Sequence, residues 1–161
     1  MPISVNVIGA DKITNSGITN LADLTDFVPN LTIGPLVVNS LRPVTSLELD
    51  VHLMIEKPWD YIPEFAKAGA DSITVHIETC PDPAAVIRQI HDLDKRAGIT
   101  LCPGTPIESV LPVAAMVERV LIMSVEPGFG GQSFIEGQLD KVRKLVEWRN
   151  AEGHHYDIQI D

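Results

Sequence analysis

From about residue 47 the chain alternates short apolar runs with charged amphipathic stretches, and this alternation narrows its fold more than any other feature. "LELDVHLMI" (47–55) reads as a buried strand, and "PWDYIPEFAKAGA" (58–70) as a helix with Pro58 in its first turn and Gly69 at its end. "DSITVHIE" (71–78) is a strand rich in β-branched residues. "DPAAVIRQIHDLDKRAG" (82–98) follows as a helix, with Asp82 as N-cap and Gly98 as C-terminal stop. Then come strand "ITLCPG", helix "PIESVLPVAAM", strand "RVLIMSV", the glycine-rich "EPGFGGQSF" (126–134), helix "IEGQLDKVRKLVEWRNAEG" and strand "YDIQID". Repeated β-then-α units mean parallel strands joined by right-handed crossovers, an α/β fold of about five strands. Such strands are covered on both faces or line a barrel interior, which is why they read as almost continuous apolar runs.

A chain of 161 residues with 45 % apolar content has the length and core of one domain. Its formal charge of −10 argues against nucleic acid or an anionic membrane surface as partner. A small anionic substrate held by a few local groups stays open. Cys80 and Cys102 lie far apart in sequence, as expected of a reduced, cytosolic chain. No apolar run approaches the ~18 residues of a membrane span. "MPISVNVIGADK" lacks the basic start and continuous apolar stretch of a secretory signal, so the expected location is cytoplasmic. Residues 1–30 do not continue the βα rhythm, and the seam falls near "FVPNLTIGP" (27–35). The expected division is a non-matching segment 1–30 and a (β/α) body 31–161.

A glycine turn leaving the carboxyl end of a parallel strand is where α/β folds hold ligands. Gly128, Gly130 and Gly131 let backbone N–H groups converge without obstruction, which suits a phosphate, although most glycine turns are only turns. His52 and Asp161 belong to strands that end on the same face as this loop. A histidine there is a metal ligand or a satisfied core residue; an aspartate there is a ligand, a proton carrier or a strand-end cap. His76, in the next strand, makes the same claim as His52.

"DVHLMIEKP", "FAKAGADSITVH" and, most specifically, "VLIMSVEPGFGGQSF" followed by "KVRKL" resemble the ribulose-phosphate 3-epimerase family of (β/α)8 (TIM) barrel enzymes; "FVPNLTIGPLVVNSLRP" also matches. The likeness runs from about residue 27 to 161. It implies strands three to seven of that barrel and a carbon-3 epimerase of ribulose 5-phosphate and xylulose 5-phosphate in the pentose phosphate pathway. It also implies a divalent cation (Zn, Mn, Fe or Co) and two aspartates on opposite faces of the sugar. By the same resemblance His52 is a metal ligand, Asp161 is both ligand and acid/base, and Met54 lines the pocket. Gly128, Phe129, Gly130 and Gly131 form the loop that closes near the substrate's phosphate.

The family pattern is departed from before residue 30. Reading back from Asn30 without gaps, Thr19 stands where the family has a metal histidine and Leu21 where it has a catalytic aspartate, with Asp23 two residues on. Residues 1–30 are instead similar to the start of the plug domain of TonB-dependent outer-membrane receptors, which suggests a chimera. The typical (β/α)8 barrel has ~250 residues, so the expectation is a partial barrel not closed by this chain alone. Its open edges would be covered by "ISVNVIG" (3–9) adding in parallel, or by a second copy of the chain. The alternative to an epimerase is then an inactive truncated or chimeric module that keeps weak phosphate or metal binding.

Overall fold

The computed structural model describes residues 3–4, 34–126 and 132–161. One six-stranded parallel sheet runs in sequence order: β1 (Ile3–Ser4), β2 (Leu49–Leu53), β3 (Ser72–His76), β4 (Arg96–Leu101), β5 (Arg119–Ile122) and β6 (Asp157–Ile160). Strand order equal to chain order is the signature of barrel winding; a doubly wound sheet reverses direction at a switch point. Among the described residues no pairing joins β6 back to β1, so the sheet is an open, partial (β/α) barrel. The five expected parallel strands are present, and the parallel addition expected of 3–9 is seen where Ile3 pairs with Leu49 and Ser4 with Asp50. Residues 5–9 lie outside the described residues.

Period-two alternation sorts the strand residues onto two faces. Leu49, Val51, Leu53, Ile73, Val75, Ala97, Ile99, Leu101, Val120 and Ile122 share one core cluster with the helices. Those helices are α1 (Pro35–Leu41), α2 (Ile62–Ala68), α3 (Pro83–His91), α4 (Leu111–Ala114) and α5 (Gln138–Glu152), represented in the cluster by Val38, Phe65, Ile87, Val113 and Leu145 among others. Asp50, Ser72, Thr74, His76, Thr100 and Arg119 occupy the opposite face and are buried too. Leu121 and Met123 are buried but stand apart from the helix-side cluster. One sheet face carries helices and the other a polar lining, which settles in favour of a barrel interior the choice that the apolar runs had left open.

Charges in that lining are paired. Arg119 donates to Asp50 at 2.6 Å with both side chains 7 % exposed, while Glu48 receives Arg96 at 3.0 Å and Arg119 at 3.5 Å. Arg96 also reaches Asp157 at 3.2 Å, so the cluster links β2, β4, β5 and β6 at their amino ends. Burial raises the Asp50 carboxyl above the usual range even against the Arg119 charge. Breaking such a buried pair on one side typically costs about 3–5 kcal/mol.

Helix 58–70 resolves into a 3-10 turn, Pro58–Asp60, and then α2, ended as expected by Gly69 in the left-handed region at φ 107°. Asp82 caps α3 as expected, its Oδ1 accepting from the Ala85 N–H at 2.9 Å. The expected helix 82–98, however, stops at His91. Asp94 takes a positive φ of 56° in the turn, and β4 starts at Arg96. Gly98 is therefore no helix stop. It sits mid-strand opposite Thr74, where an added Cβ would lie 2.1 Å from Thr74 Oγ1. Ladder pairing with β3 wins over the helix-favouring "DKRA", because the backbone bonds and buried Ala97 and Ile99 outweigh local propensity.

Gly98→Ala should destabilise the fold by about 1–3 kcal/mol through this overlap. Adding Thr74→Ala should recover part of the loss, a favourable coupling of at least about 0.5 kcal/mol in urea unfolding. Strictly additive losses would show that Thr74 does not set the constraint.

Candidate functional site at the carboxyl rim of the sheet

Parallel strands deliver all their carboxyl ends to one rim, and chemistry-bearing side chains gather there. His52 lies near the end of β2 with Met54 just beyond, and His76 ends β3. Glu78 occupies the 3-10 turn that follows β3, and Cys102 follows β4. Asp161 follows β6. Its N–H donates to the Ile122 carbonyl at 3.1 Å, and the Ser124 N–H donates to the Asp161 carbonyl at 2.9 Å. The Ser124 hydroxyl donates to the same carbonyl. The backbone of Asp161 is thus locked to the end of β5, while its carboxylate is exposed and takes part in no hydrogen bond or ion pair among the described residues.

The two histidines form a pair. Their Nε2 atoms are 2.8 Å apart and the rings lie nearly parallel, 24° between planes with centroids 4.8 Å apart. A contact that short needs one protonated and one bare nitrogen. His76 Nδ1 is 3.3 Å from Glu78 Oε2, an acceptor, which assigns the His76 proton to Nδ1 and leaves its Nε2 bare. His52 then donates from Nε2, and its own Nδ1 is left as a free lone pair. Burial, then the neighbouring His76, drives the His52 pKa down from 6.5 to about 3, so this ring is neutral at physiological pH and competent as a metal ligand. Burial also lowers His76, against the opposing pull of Glu78.

Glu78 is held by its other oxygen. Oε1 accepts from the Cys102 N–H at 2.7 Å and from the Thr105 hydroxyl at 2.5 Å, which aims Oε2 at His76. Burial pushes this carboxyl up, but the Thr105 and Cys102 hydrogen bonds outweigh it and the net shift is downward. The loop carrying these donors is gripped from α5. Lys141 Nζ donates to the carbonyls of Cys102 (3.3 Å), Pro103 (2.7 Å) and Thr105 (2.8 Å), and Gln138 Nε2 donates to that of Pro103 at 3.3 Å.

At the glycine loop, Gln132 Nε2 donates to the Glu126 carbonyl at 2.6 Å, and the Glu126 N–H donates to Gln132 Oε1 at 3.2 Å. One side-chain amide thereby draws the two ends of the loop together. Gly128, Phe129, Gly130 and Gly131, read from sequence as the phosphate-end loop, lie outside the described residues.

Of the other residues singled out from sequence, Met54 is 42 % exposed at the rim and His52 meets His76. His52 and Asp161 share no hydrogen bond with each other among the described residues. The one three-residue group there able to hold a metal is His76, Glu78 and Cys102, whose ligand atoms all lie within 4.8 Å of one another. Glu78, Cys102, Thr105 and Lys141 escaped the sequence reading. The signal for Glu78 was present, since a residue two beyond His76 shares its strand face. Cys102 and Lys141 are brought in only by tertiary packing. Both cysteines are free.

The chain matches the family model described as "Ribulose-phosphate 3 epimerase family" over residues 9–161. It is 50 % identical over 140 residues to the chloroplastic ribulose-5-phosphate-3-epimerase of Arabidopsis thaliana, covering 84 % of this chain and 49 % of that protein. It is 50 % identical over 127 residues to the ribulose-phosphate 3-epimerase of Bacillus subtilis, covering 79 % and 58 %. With the cytoplasmic isoform of Oryza sativa it shares 47 % over 139 residues, covering 84 % and 59 %. The chain thus spans between about half and three-fifths of the length of these relatives. The family match enters the 1–30 segment at residue 9, and the plug-like, chimeric reading of that segment finds no support in these likenesses. No described helix is long and apolar enough to cross a membrane.

The depressed His52 pKa carries a stability signature. Because the folded value, about 3, lies below the unfolded 6.5, this residue's contribution is fully present above pH 6.5 and is lost as pH falls from there toward 3. The slope is at most about 1.4 kcal/mol per pH unit for one proton. Urea unfolding between pH 4.5 and 8 should show that slope in the parent chain and a flatter profile in His52→Gln. Identical profiles would mean that His52 titrates normally.

Proposed function

Because the chain belongs to the ribulose-phosphate 3-epimerase family, we propose that its carboxyl rim is a sugar-phosphate site inverting carbon 3 of ribulose 5-phosphate and xylulose 5-phosphate, the epimerase step of the pentose phosphate pathway. The observation that carries this reading is Asp161, a residue whose backbone is fixed by Ser124 and Ile122 while its carboxylate has no partner among the described residues. A group so placed takes a proton from a carbon next to a ketone, and returns it, without first breaking a bond of its own. Met54 and the loop 128–131 would flank the sugar and its phosphate, with the loop's ends closed by Gln132.

The donor chemistry suits a divalent cation. His52 offers a neutral ring with a bare Nδ1, and Asp161 a carboxylate without a partner among the described residues, so these two residues would hold it. Such a cation supplies positive charge for the oxygens that become negative as the carbon-3 proton leaves. The partner is a small sugar phosphate, and the proposed location is the cytoplasm.

A second reading, an inactive module that keeps weak phosphate or metal binding, is favoured by one feature of the sequence. Inversion needs a second proton carrier on the opposite face of the sugar, and the position aligned with it holds Leu21. Proton NMR of ribulose 5-phosphate in D2O with the full chain and Zn2+ separates the two. Loss of the carbon-3 signal with growth of xylulose 5-phosphate is the result expected, and Asp161→Asn should slow it by at least about a hundredfold. Exchange at carbon 3 without xylulose 5-phosphate would mean one working base. With neither, the inactive reading holds.

A further inference from the structure

A second donor set lies on the far side of His76 from His52. His76 Nδ1 is 3.3 Å from Glu78 Oε2 and 3.7 Å from Cys102 Sγ, and the three ligand atoms lie within 4.8 Å of one another. In a tetrahedral Zn2+ site, with bonds of about 2.0–2.2 Å to nitrogen and oxygen and about 2.3 Å to sulfur, the N···O edge is about 3.4 Å and the N···S edge about 3.6 Å. Two edges of the tetrahedron are already in place. The third requires sulfur and carboxylate to close from at most 4.8 Å to about 3.6 Å, within reach of a cysteine rotamer.

We propose that His76, Glu78 and Cys102 form a site for a borderline-soft divalent cation of the Zn2+ type, with the fourth position open to water. It is separate from the cation of the proposed reaction, since it uses the other nitrogen of His76 and neither His52 nor Asp161. One nitrogen, one oxygen and one sulfur suit Zn2+ or Co2+ and disfavour Mg2+ or Ca2+, which want oxygen alone. A thiolate and a carboxylate neutralise the two charges. The ligands are also held for the purpose by outer contacts: Cys102 N–H and Thr105 fix Glu78 through its other oxygen. Lys141, the nearby cation, spends its ammonium on three carbonyls of the same loop. The Glu78 side chain is 29 % exposed and Cys102 half-buried, which leaves a path for entry.

Protons balance as follows. The S–H bond of Cys102 breaks as the metal–sulfur bond forms, and one proton goes to solvent. The metal takes Nδ1 of His76, so that ring carries its proton on Nε2 and donates to His52 Nε2. His52 in turn carries its proton on Nδ1. No imidazole proton is lost and nothing is oxidised. On the proposed function above, the bare His52 nitrogen is the one that would hold the reaction's cation, so filling this second site opposes filling the first.

The test is titration of the full chain, under reducing conditions, with Co2+ and with Zn2+ alone. Co2+ should produce a near-ultraviolet thiolate-to-cobalt charge-transfer band with strong tetrahedral visible bands. Zn2+ added to the metal-free chain should release one proton, and Zn2+ added to the cobalt form should bleach both bands with no further proton release. Cys102→Ser should abolish the charge-transfer band and weaken Zn2+ at least about a hundredfold, while Cys80→Ser should leave both unchanged. Glu78→Gln keeps the thiol and should weaken binding too, which covers the case in which Cys102→Ser does not fold. A missing charge-transfer band, or one that survives Cys102→Ser or disappears with Cys80→Ser, would overturn the site. Asp161→Asn should leave the band intact whatever it does to carbon-3 exchange, so this proposal and the proposed function fail separately.

Discussion

Parallel pairing in register is the constraint on which the rest of this structure depends. Asp50 sits opposite Ser72, Ser72 opposite Arg96, and Gly98 opposite both Thr74 and Arg119, so each row of side chains crosses several strands at one height. A slip of one residue in any strand would turn its apolar set away from the helices and expose its polar set to them. The close approach of Thr74 to Gly98 makes that slip costly at the middle of the sheet, because only a residue without a Cβ fits beneath the threonine. The same register places His52, His76, Cys102 and Asp161 together at one rim.

The unusual burden of the fold is a buried polar face. A helix-covered face is stabilised by apolar burial alone, whereas the lining must satisfy charges out of water. It does so in two tiers. At the amino ends, Arg96 and Arg119 meet Glu48, Asp50 and Asp157, a network of opposite charges that bridges strands lacking direct contact. At the carboxyl ends the groups turned into the lining are kept neutral or partnered instead, and Asp161 stays exposed. His52 is held uncharged by burial, and Glu78 keeps its charge because Thr105 and Cys102 donate to it. Charges that need fixed partners stabilise the base, and groups whose protons can move are collected at the top.

His76 is the hinge of that upper tier. One ring nitrogen meets His52 and the other faces Glu78 and Cys102, so a proton placed on one side fixes what the other side can do. Lys141 and Gln138 keep the loop behind it in place from α5, so the long helix shapes the rim through side chains that grip loop carbonyls. This is why residues remote in sequence, at 76, 102 and 141, act as one unit.

By itself the sequence determined that there are five apolar runs, that intervening helices make them parallel, and that His52 and Asp161 end on the glycine loop's side, because periodicity and chain direction are local properties. It also marked Asp82 and Gly69 as helix ends, since capping is settled within a few residues. Only the tertiary structure decided that the segment after His91 is a turn and a strand, because the gain there comes from pairing with β3 and from burying Ala97 and Ile99. It alone decided that one sheet face is a polar lining, as strands buried on both faces carry apolar runs under either architecture. The approach of Cys102 to His76 and the grip of Lys141 on the loop after β4 were invisible in sequence for the same reason: neither residue is a neighbour of His76 until the strands are curved, registered and closed over by a helix.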